Sequence, residues 1–190
     1  NGSFLVSGKS GEGLTNTGYN LIGGSGSSNV AKYKGEIKEI IIFNKLLSDA
    51  ELAKVNYYLS KKWALTTTVD SDGDGIKDSN DKDALNFSNK VYVINTNTTL
   101  SSATNFSILG ATEVEVTNNA TLTIQSDITF PTVNINAQSQ VILNSGTING
   151  SVFKGLGSLT INNATLYADQ INVNTTQTSG QLRTASNLSL

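Results

Sequence analysis

Residues 70–83 carry aspartates at a spacing that suits a metal ion (DSDGDGIKDSNDKD). Hard divalent cations bind oxygen ligands, and Ca²⁺ takes six to eight of them. Counted from Asp70, carboxylates fall at loop positions 1, 3, 5, 9 and 12. Gly75 is at position 6, where a calcium loop turns sharply, and Ile76 is at position 7, where a backbone carbonyl serves as ligand. Because these carboxylates would repel one another without a cation, the spacing favours a Ca²⁺ loop over the alternative, a solvated acidic linker.

The residues around this loop argue against a helix–loop–helix EF-hand. Neither 66–69 nor 84–89 has a helical pattern, and position 12 is Asp81, where an EF-hand normally has the longer Glu. The alternation restarts at 81–83, and in this form the stretch resembles a thrombospondin type 3 repeat, a calcium-wrapped linker of secreted multidomain proteins. The resemblance implies a set of Ca²⁺ ligands: Asp70, Asp72, Asp74, Asp81, the Ile76 carbonyl, and Asp78 directly or through water.

The composition excludes several kinds of chemistry. The chain of 190 residues contains no Cys, Met or His, which excludes disulfides, thiolate or imidazole metal sites and histidine acid–base catalysis. The net charge of -2 gives no indication of binding to nucleic acid or to an anionic membrane, and no apolar run approaches the ~20 residues of a membrane span. Residues 1–190 show no signal-peptide pattern, and we expect the first residues to be a cut into a longer polypeptide.

Residues 1–65 are predicted to contain strands, loops and one helix. A short strand is expected at 4–6 and a strong strand at 35–43. Ser48 fits the N-cap of a helix and Glu51 fits its N3 position, which together form a capping box. Apolar residues then follow at helical spacing, so this helix should lie on a sheet.

The end of this segment resembles the end of a concanavalin-A-like, laminin-G-type jelly roll. The residues that carry the resemblance are Leu47-Ser48, Glu51, Tyr58-Leu59 and Lys62-Trp63. It implies that 1–65 is the C-terminal part of a lectin-like β-sandwich that binds glycan or protein. A complete jelly roll needs more strands than precede the loop, so most of that domain would be missing.

Residues 84–190 have short strands of alternating apolar residues between asparagine-rich corners. The predicted strands are 91–94, 113–116, 121–124, 132–135, 140–143, 158–161, 165–168 and 170–173. Val114, Val133 and Leu159 mark a repeat of about 19 and then 26 residues, which predicts a β-solenoid whose coils stack on one aliphatic core. The pattern resembles right-handed parallel β-helices of bacterial adhesins and pectin-lyase-like proteins. The alternative is a second, antiparallel β-sandwich.

The solenoid offers few groups for catalysis. Glu113 and Glu115 share a face of one strand and could form a pair, but no basic partner lies near them in sequence. We therefore interpret them as a solvent-facing stripe and expect no enzyme activity. Cleavage of polysaccharide by the solenoid would need a groove that holds one of them beside a base.

Together these features predict an all-β protein with one short helix, in three parts: the jelly-roll end at 1–65, a calcium-binding linker at 66–83 and a β-solenoid at 84–190. We expect a non-catalytic segment of a large secreted bacterial cell-surface adhesin or filament, in which Ca²⁺ stiffens the joint between a lectin-like domain and a solenoid stalk. Its partners would be carbohydrate, a host or neighbouring cell surface, and the rest of its own polypeptide. The alternative is an accessory carbohydrate-binding module of a secreted polysaccharide-active enzyme.

Overall fold

A computed structural model describes residues 35–102, 104–106 and 110–184. The chain divides into two compact units, Ser3–Leu47 and Ser48–Leu190. Among the described residues, the helix, the aspartate loop and all the strands belong to the second unit. The strand predicted at 4–6 and most of the predicted jelly roll lie outside the described residues.

Helix α1 spans Asp49–Lys62 and begins as the sequence predicts. The Ser48 hydroxyl accepts a hydrogen bond from the Glu51 backbone N–H, and the Glu51 carboxylate accepts one from the Ser48 backbone N–H at 3.0 Å. This reciprocal capping box satisfies N–H groups that the first turn leaves without helical partners. The buried residues of the helix are Ala53 and Ser60.

The prediction of a strand at 35–43 is wrong. The segment forms no strand, and its aliphatic side chains are exposed, with Ile40 at 50% and Ile42 at 78%. A strand needs a neighbouring strand to take its backbone hydrogen bonds, and the described residues provide none for this segment. High β-propensity alone therefore does not produce the strand here.

The described residues contain ten strands, all after the aspartate loop. They are β1 Val91–Ile94, β2 Thr98–Leu100, β3 Thr104–Asn105, β4 Glu113–Val116, β5 Thr121–Ile124, β6 Ile128–Ile135, β7 Gln140–Leu143, β8 Thr147–Ile161, β9 Thr165–Gln177 and β10 Gln181–Thr184. All pairings between these strands are parallel. The prediction of a β-solenoid is confirmed, with about five turns, and the alternative antiparallel sandwich is excluded for these residues.

The pairing forms three parallel ladders, one on each side of the coil. One ladder runs β1–β4–β6–β8–β9, and the second runs β2–β5–β7–β8–β9. The third runs β3–β6–β8–β9–β10. The long strands belong to more than one ladder because they bend from one side of the coil to the next.

The register corrects the predicted repeat length. Val114, Val133, Phe153 and Ile171 are paired in sequence along the first ladder, 19, 20 and 18 residues apart. Leu159 instead pairs with Val141 in the second ladder. The 26-residue repeat was wrong because aliphatic strands on different sides of the coil have the same local pattern.

The interior of the coil is filled by aliphatic side chains and a row of aromatic rings. Val114, Val133 and Phe153 are completely buried. The rings of Tyr92, Phe106, Phe130 and Phe153 follow one another along the stack, with centroids 5.0, 5.3 and 6.1 Å apart. Each large apolar side chain buried in this way stabilises the fold by roughly 1.5–3 kcal/mol.

Asparagines at the corners connect neighbouring coils. Asn118 has φ 56° and donates from its side chain to the Asn95 carbonyl at 3.2 Å. The Asn162 side chain donates to the side-chain oxygen of Asn144 at 2.7 Å. Asparagine tolerates the left-handed backbone found at Asn118, and at both corners its amide forms the hydrogen bond to the preceding coil.

Two substitutions in β8 test whether the interior stack carries the stability. Phe153→Ala should lower the free energy of unfolding by about 3–5 kcal/mol, because it leaves a cavity in a completely buried position. Leu156→Ala in the same strand is the matched control; that side chain is 86% exposed, so the change should stay within about 0.5 kcal/mol. Urea unfolding monitored by circular dichroism measures both, and equal effects would contradict the described interior.

Candidate metal centre and cap of the solenoid

Three aspartates of the loop lie together as the sequence predicts. One carboxylate oxygen from each of Asp70, Asp72 and Asp74 lies within 4.8 Å of the other two. Three negative charges at this separation repel one another strongly, more so where solvent is excluded. The cluster therefore has the donor type and the charge that a hard cation requires.

Backbone hydrogen bonds hold the carboxylates in place. Asp70 accepts from the N–H groups of Gly73 and Gly75, at 2.8 and 2.9 Å. Asp74 accepts from the Ile76 N–H at 2.7 Å through Oδ1. Gly73 and Gly75 have φ of 82° and 102°, in the region that favours glycine, so the turn that brings the carboxylates together depends on them.

Two oxygens of the cluster are buried without a partner. Asp72 Oδ2 and Asp74 Oδ2 accept no hydrogen bond, and Asp74 is only 4% exposed. Burial raises the pKa of both carboxyls, and neighbouring carboxylates of the loop raise it further. A buried carboxylate oxygen without a hydrogen bond is costly, and a bound cation would compensate that cost. The residues therefore fit a divalent cation.

The other three predicted ligands, Asp81, Asp78 and the Ile76 carbonyl, are not part of the close group of carboxylates formed by Asp70, Asp72 and Asp74. Burial first, and then the charges of Asp74, Asp72 and Asp83, raise the pKa of Asp81 to about 6. Asp78 is not part of the close cluster, because its two oxygens accept from the Ser71 N–H and hydroxyl at 2.8 and 2.9 Å. The role of the Ile76 carbonyl as a ligand stays a prediction.

The Ile76 side chain has a function that the metal pattern did not indicate. It is 1% exposed and belongs to the same hydrophobic cluster as Ile94 and Phe106 of the first coil. Asp74 is anchored nearby, because Lys90 donates to its carbonyl at 3.4 Å. A Cβ on Gly110 would lie 2.9 Å from that carbonyl, so only glycine permits this close approach. The loop thus covers the end of the solenoid core.

The residues after the cluster cover the edge of the first strand. Asp81 and Tyr92 form an antiparallel bridge. Lys82 N–H donates to the Val91 carbonyl at 3.2 Å, and Val93 N–H donates to the Asn80 carbonyl at 2.6 Å. An uncovered parallel edge is prone to pair with other chains, and this short antiparallel segment blocks it. Residues 70–83 are therefore the cap of the coil stack as well as a candidate metal loop.

An ion pair connects this cap to the second coil. Lys82 Nζ lies 2.6 Å from Glu115 Oε2, and the Asn136 side chain donates to Glu115 Oε1 at 2.8 Å. Burial alone would raise the pKa of Glu115, but these two donors and the charge of Lys82 hold it below its usual value. The interpretation of Glu115 as solvent-facing is wrong, since it is 8% exposed.

Glu113 also has a distant lysine partner. Lys154 Nζ lies 2.9 Å from Glu113 Oε2, across two coils. Sequence reasoning missed both lysines because they are far from the glutamates along the chain. The signal that could have found Lys154 is the scarcity of charge after residue 83, where few basic residues are present to pair with few acidic ones. No comparable signal singles out Lys82.

Comparison of the chain with protein-family models, with curated proteins and with solved structures finds no match. Within the described residues, no helix has the length and apolar character needed to cross a membrane. The function is therefore argued from the geometry of the loop and the solenoid.

Lys82→Ala tests the connection between cap and coil. It leaves the buried Glu115 carboxylate without its cation and should destabilise the protein by about 1–2 kcal/mol at neutral pH, since Lys82 is half exposed and solvent weakens the pair. Because the pKa of Glu115 is lowered in the folded state, its contribution is present above its unfolded pKa and disappears as the pH falls through the lowered value. The loss should therefore shrink in acid.

Lys77→Ala is the control for that experiment. Lys77 is exposed and makes no ion pair in the described part of the chain, so its removal should have little effect. Urea unfolding at neutral and acidic pH compares the two variants. A pH-independent loss for Lys82→Ala, or an equal loss for Lys77→Ala, would show that the ion pair is not the cause.

Proposed function

We propose that residues 70–83 bind Ca²⁺ and that the metal-loaded loop caps the first coil of a β-solenoid in a non-catalytic, secreted bacterial cell-surface adhesin or filament. The observation that carries the proposal is Asp74. Its Oδ2 is buried without a partner inside the carboxylate cluster, and two residues later Ile76 enters the core of the solenoid. A ligand that satisfies the cluster would also hold the end of the coil stack in place.

The donor set favours Ca²⁺ over other metals. The chain has no histidine or cysteine, the usual ligands of Zn²⁺ and of other soft or borderline ions. An array of carboxylates with a backbone carbonyl suits the larger coordination number of Ca²⁺ better than the small, strictly octahedral Mg²⁺. Asp70, Asp72, Asp74, Asp81 and the Ile76 carbonyl are the proposed ligands. Asp78 would contribute through water, or by orienting the loop through Ser71.

The proposed mechanism is mechanical. Without a cation the carboxylates repel one another, and this repulsion opposes the conformation that places Ile76 in the core. A cation that binds the folded loop and not the unfolded chain stabilises the fold by mass action. Residues 63–69 connect α1 to the loop, and Val69 N–H donates to the Leu65 carbonyl and Ser79 N–H to the Thr66 carbonyl there. The same event would therefore stiffen the connection from helix to solenoid.

Other features support a binding or stalk role without catalysis. Glu113 and Glu115 are each paired with a lysine, which suits structural carboxylates better than a catalytic pair. The sequence resemblance of residues 47–63 to the end of a jelly roll suggests a lectin-like domain before the loop. The coil is expected to be right-handed, because connections between parallel strands of one sheet are almost always right-handed. Extracellular Ca²⁺ reaches the concentrations at which weak calcium modules are loaded, which favours secretion to the cell surface.

Asp74→Asn tests the metal site. The amide keeps the oxygen that accepts from Ile76 N–H but removes one charge from the cluster, so Ca²⁺ affinity should fall by at least about tenfold. Isothermal titration of the whole chain with CaCl₂ measures the affinity. Asp127→Asn is the matched control, because it removes an identical charge outside the loop and keeps an oxygen for the Thr147 N–H. The proposal fails if the native chain gives no heat at millimolar Ca²⁺, or if both variants lose affinity equally.

The pH dependence of stabilisation by Ca²⁺ is a second test. The pKa values of Asp72, Asp74 and Asp81 are raised in the folded protein, so the folded state without metal favours their protonated forms. This contribution to stability is lost as the pH rises through the raised values, which for Asp81 is about 6. Ca²⁺ requires the ionised forms. The increase in Tm on adding Ca²⁺ should therefore grow between mildly acidic and mildly alkaline pH. Thermal unfolding with EDTA or CaCl₂ checks this, and an increase that shrinks with rising pH would contradict it.

A further inference from the structure

A groove of about 490 Å³ runs along the outside of the later coils, away from the aspartate loop. Four of its lining residues form one row across successive strands: Thr129, Asn149, Tyr167 and Arg183 are paired in register from β6 to β10. Neighbouring strands lie about 4.8 Å apart, so this row spans about 14 Å. The groove is therefore long enough to contact several units of a chain-like ligand.

The groove follows a bend that occurs at the same place in three coils. Strand pairing is continuous up to Phe130, Gly150 and Ala168, skips the next residue, and resumes at Thr132, Val152 and Gln170. Two of the skipped residues, Ser151 and Asp169, line the groove beside the row. Gly150 and Ala168, both small, also line the groove, and a Cβ on Gly150 would lie 2.5 Å from the buried ring of Phe153.

Several polar groups in the groove have no partner within the protein. The Asn149 amide, the Ser151 hydroxyl and the Asp169 carboxylate make no side-chain hydrogen bond or ion pair in the part of the chain that the structure describes, and all three residues are exposed. They differ from the corner asparagines and from Glu113 and Glu115, whose side chains are engaged by neighbouring coils. This side of the solenoid thus carries hydrogen-bonding groups that its own fold does not use.

An aromatic ring and a positioned guanidinium complete the groove. Tyr167 is 41% exposed, and the Arg183 guanidinium lies 5.9 Å from the centre of its ring. Arg183 is oriented by Gln181, whose side-chain oxygen accepts from Nε at 3.1 Å and Nη2 at 2.8 Å. A partly exposed ring beside such donors and acceptors matches the two aspects of a sugar, an apolar C–H face and a rim of hydroxyls.

We infer that this groove binds a neutral oligosaccharide, with Tyr167 stacking on a sugar ring and Asn149, Asp169 and Arg183 bonding its hydroxyls. The opposite charges of Asp169 and Arg183 leave the groove without net charge, which favours a neutral ligand over an acidic or a basic one. The inference does not rest on the metal loop. It would give the proposed adhesin a ligand site within the solenoid itself, separate from any lectin-like domain before it.

Titration of the whole, ¹⁵N-labelled chain with cellohexaose, mannohexaose or chitohexaose tests the inference by NMR. At least one should shift the backbone signals of strands β8 to β10 around Tyr167 at low-millimolar concentration. Tyr167→Ala should weaken that binding by about tenfold or more, and Tyr167→Trp should restore it, because stacking is lost and regained. Tyr58→Ala on the helix is the matched control, since that ring is similarly exposed and lies outside the groove.

Three outcomes would overturn the inference: no shift with any of the neutral hexasaccharides, shifts confined to other residues, or equal binding by Tyr167→Ala and the native chain. Binding of oligogalacturonate alone would overturn the assignment to neutral sugars. The calorimetric Ca²⁺ titration of the same protein keeps this result separate from the metal site. If Tyr167→Ala loses sugar binding but gives the same heat with Ca²⁺ as the native chain, the substitution has affected the groove and not the metal site.

Discussion

A stack of parallel coils has an open end, and the burial of Ile76 against the first coil closes it. Each coil buries its interior only against the next one, so an end without a cover exposes apolar side chains and unpaired backbone groups. Here one short segment covers both, with Ile76 over the core and residues 80–82 along the edge of β1. The rest of the described structure depends on this cover being held in place.

What holds the cover in place is electrostatically unfavourable without a counter-ion. The turn that directs Ile76 inward is made by the same residues that gather Asp70, Asp72 and Asp74, and the Ile76 N–H is bonded to Asp74. Burial raises the pKa of Asp72 and Asp74, which is the sign of carboxylates that lack compensation. The proposed Ca²⁺ would remove the repulsion and the orphaned oxygens together. Metal binding and the packing of the first coil would then be one equilibrium.

The sides of the solenoid use their polar residues in two ways. Near the cap, Glu115 and Glu113 are neutralised by Lys82 and Lys154 from distant parts of the chain, and corner asparagines bond from coil to coil. These groups stabilise the stack and are not available to a ligand. Along the later coils, Asn149, Ser151 and Asp169 in the groove around Tyr167 make no side-chain hydrogen bond or ion pair among the described residues. The contrast separates a structural surface from the proposed binding surface on the same fold.

The sequence alone determined the features that depend on neighbours along the chain. These are the capping box of α1, the alternating strands, the asparagine corners and the aspartate spacing of the loop. Tertiary structure decided what depends on distant residues. The register of the strands gives coils of about 20 residues, where the sequence had suggested a 26-residue repeat. The segment 35–43 forms no strand, because no partner strand is described for it. Tertiary structure also determined that Asp78 accepts a hydrogen bond from Ser71 and that Lys82 forms an ion pair with Glu115. Local pattern specifies backbone conformation and donor type, whereas the partner of a side chain is specified only once the coils are stacked.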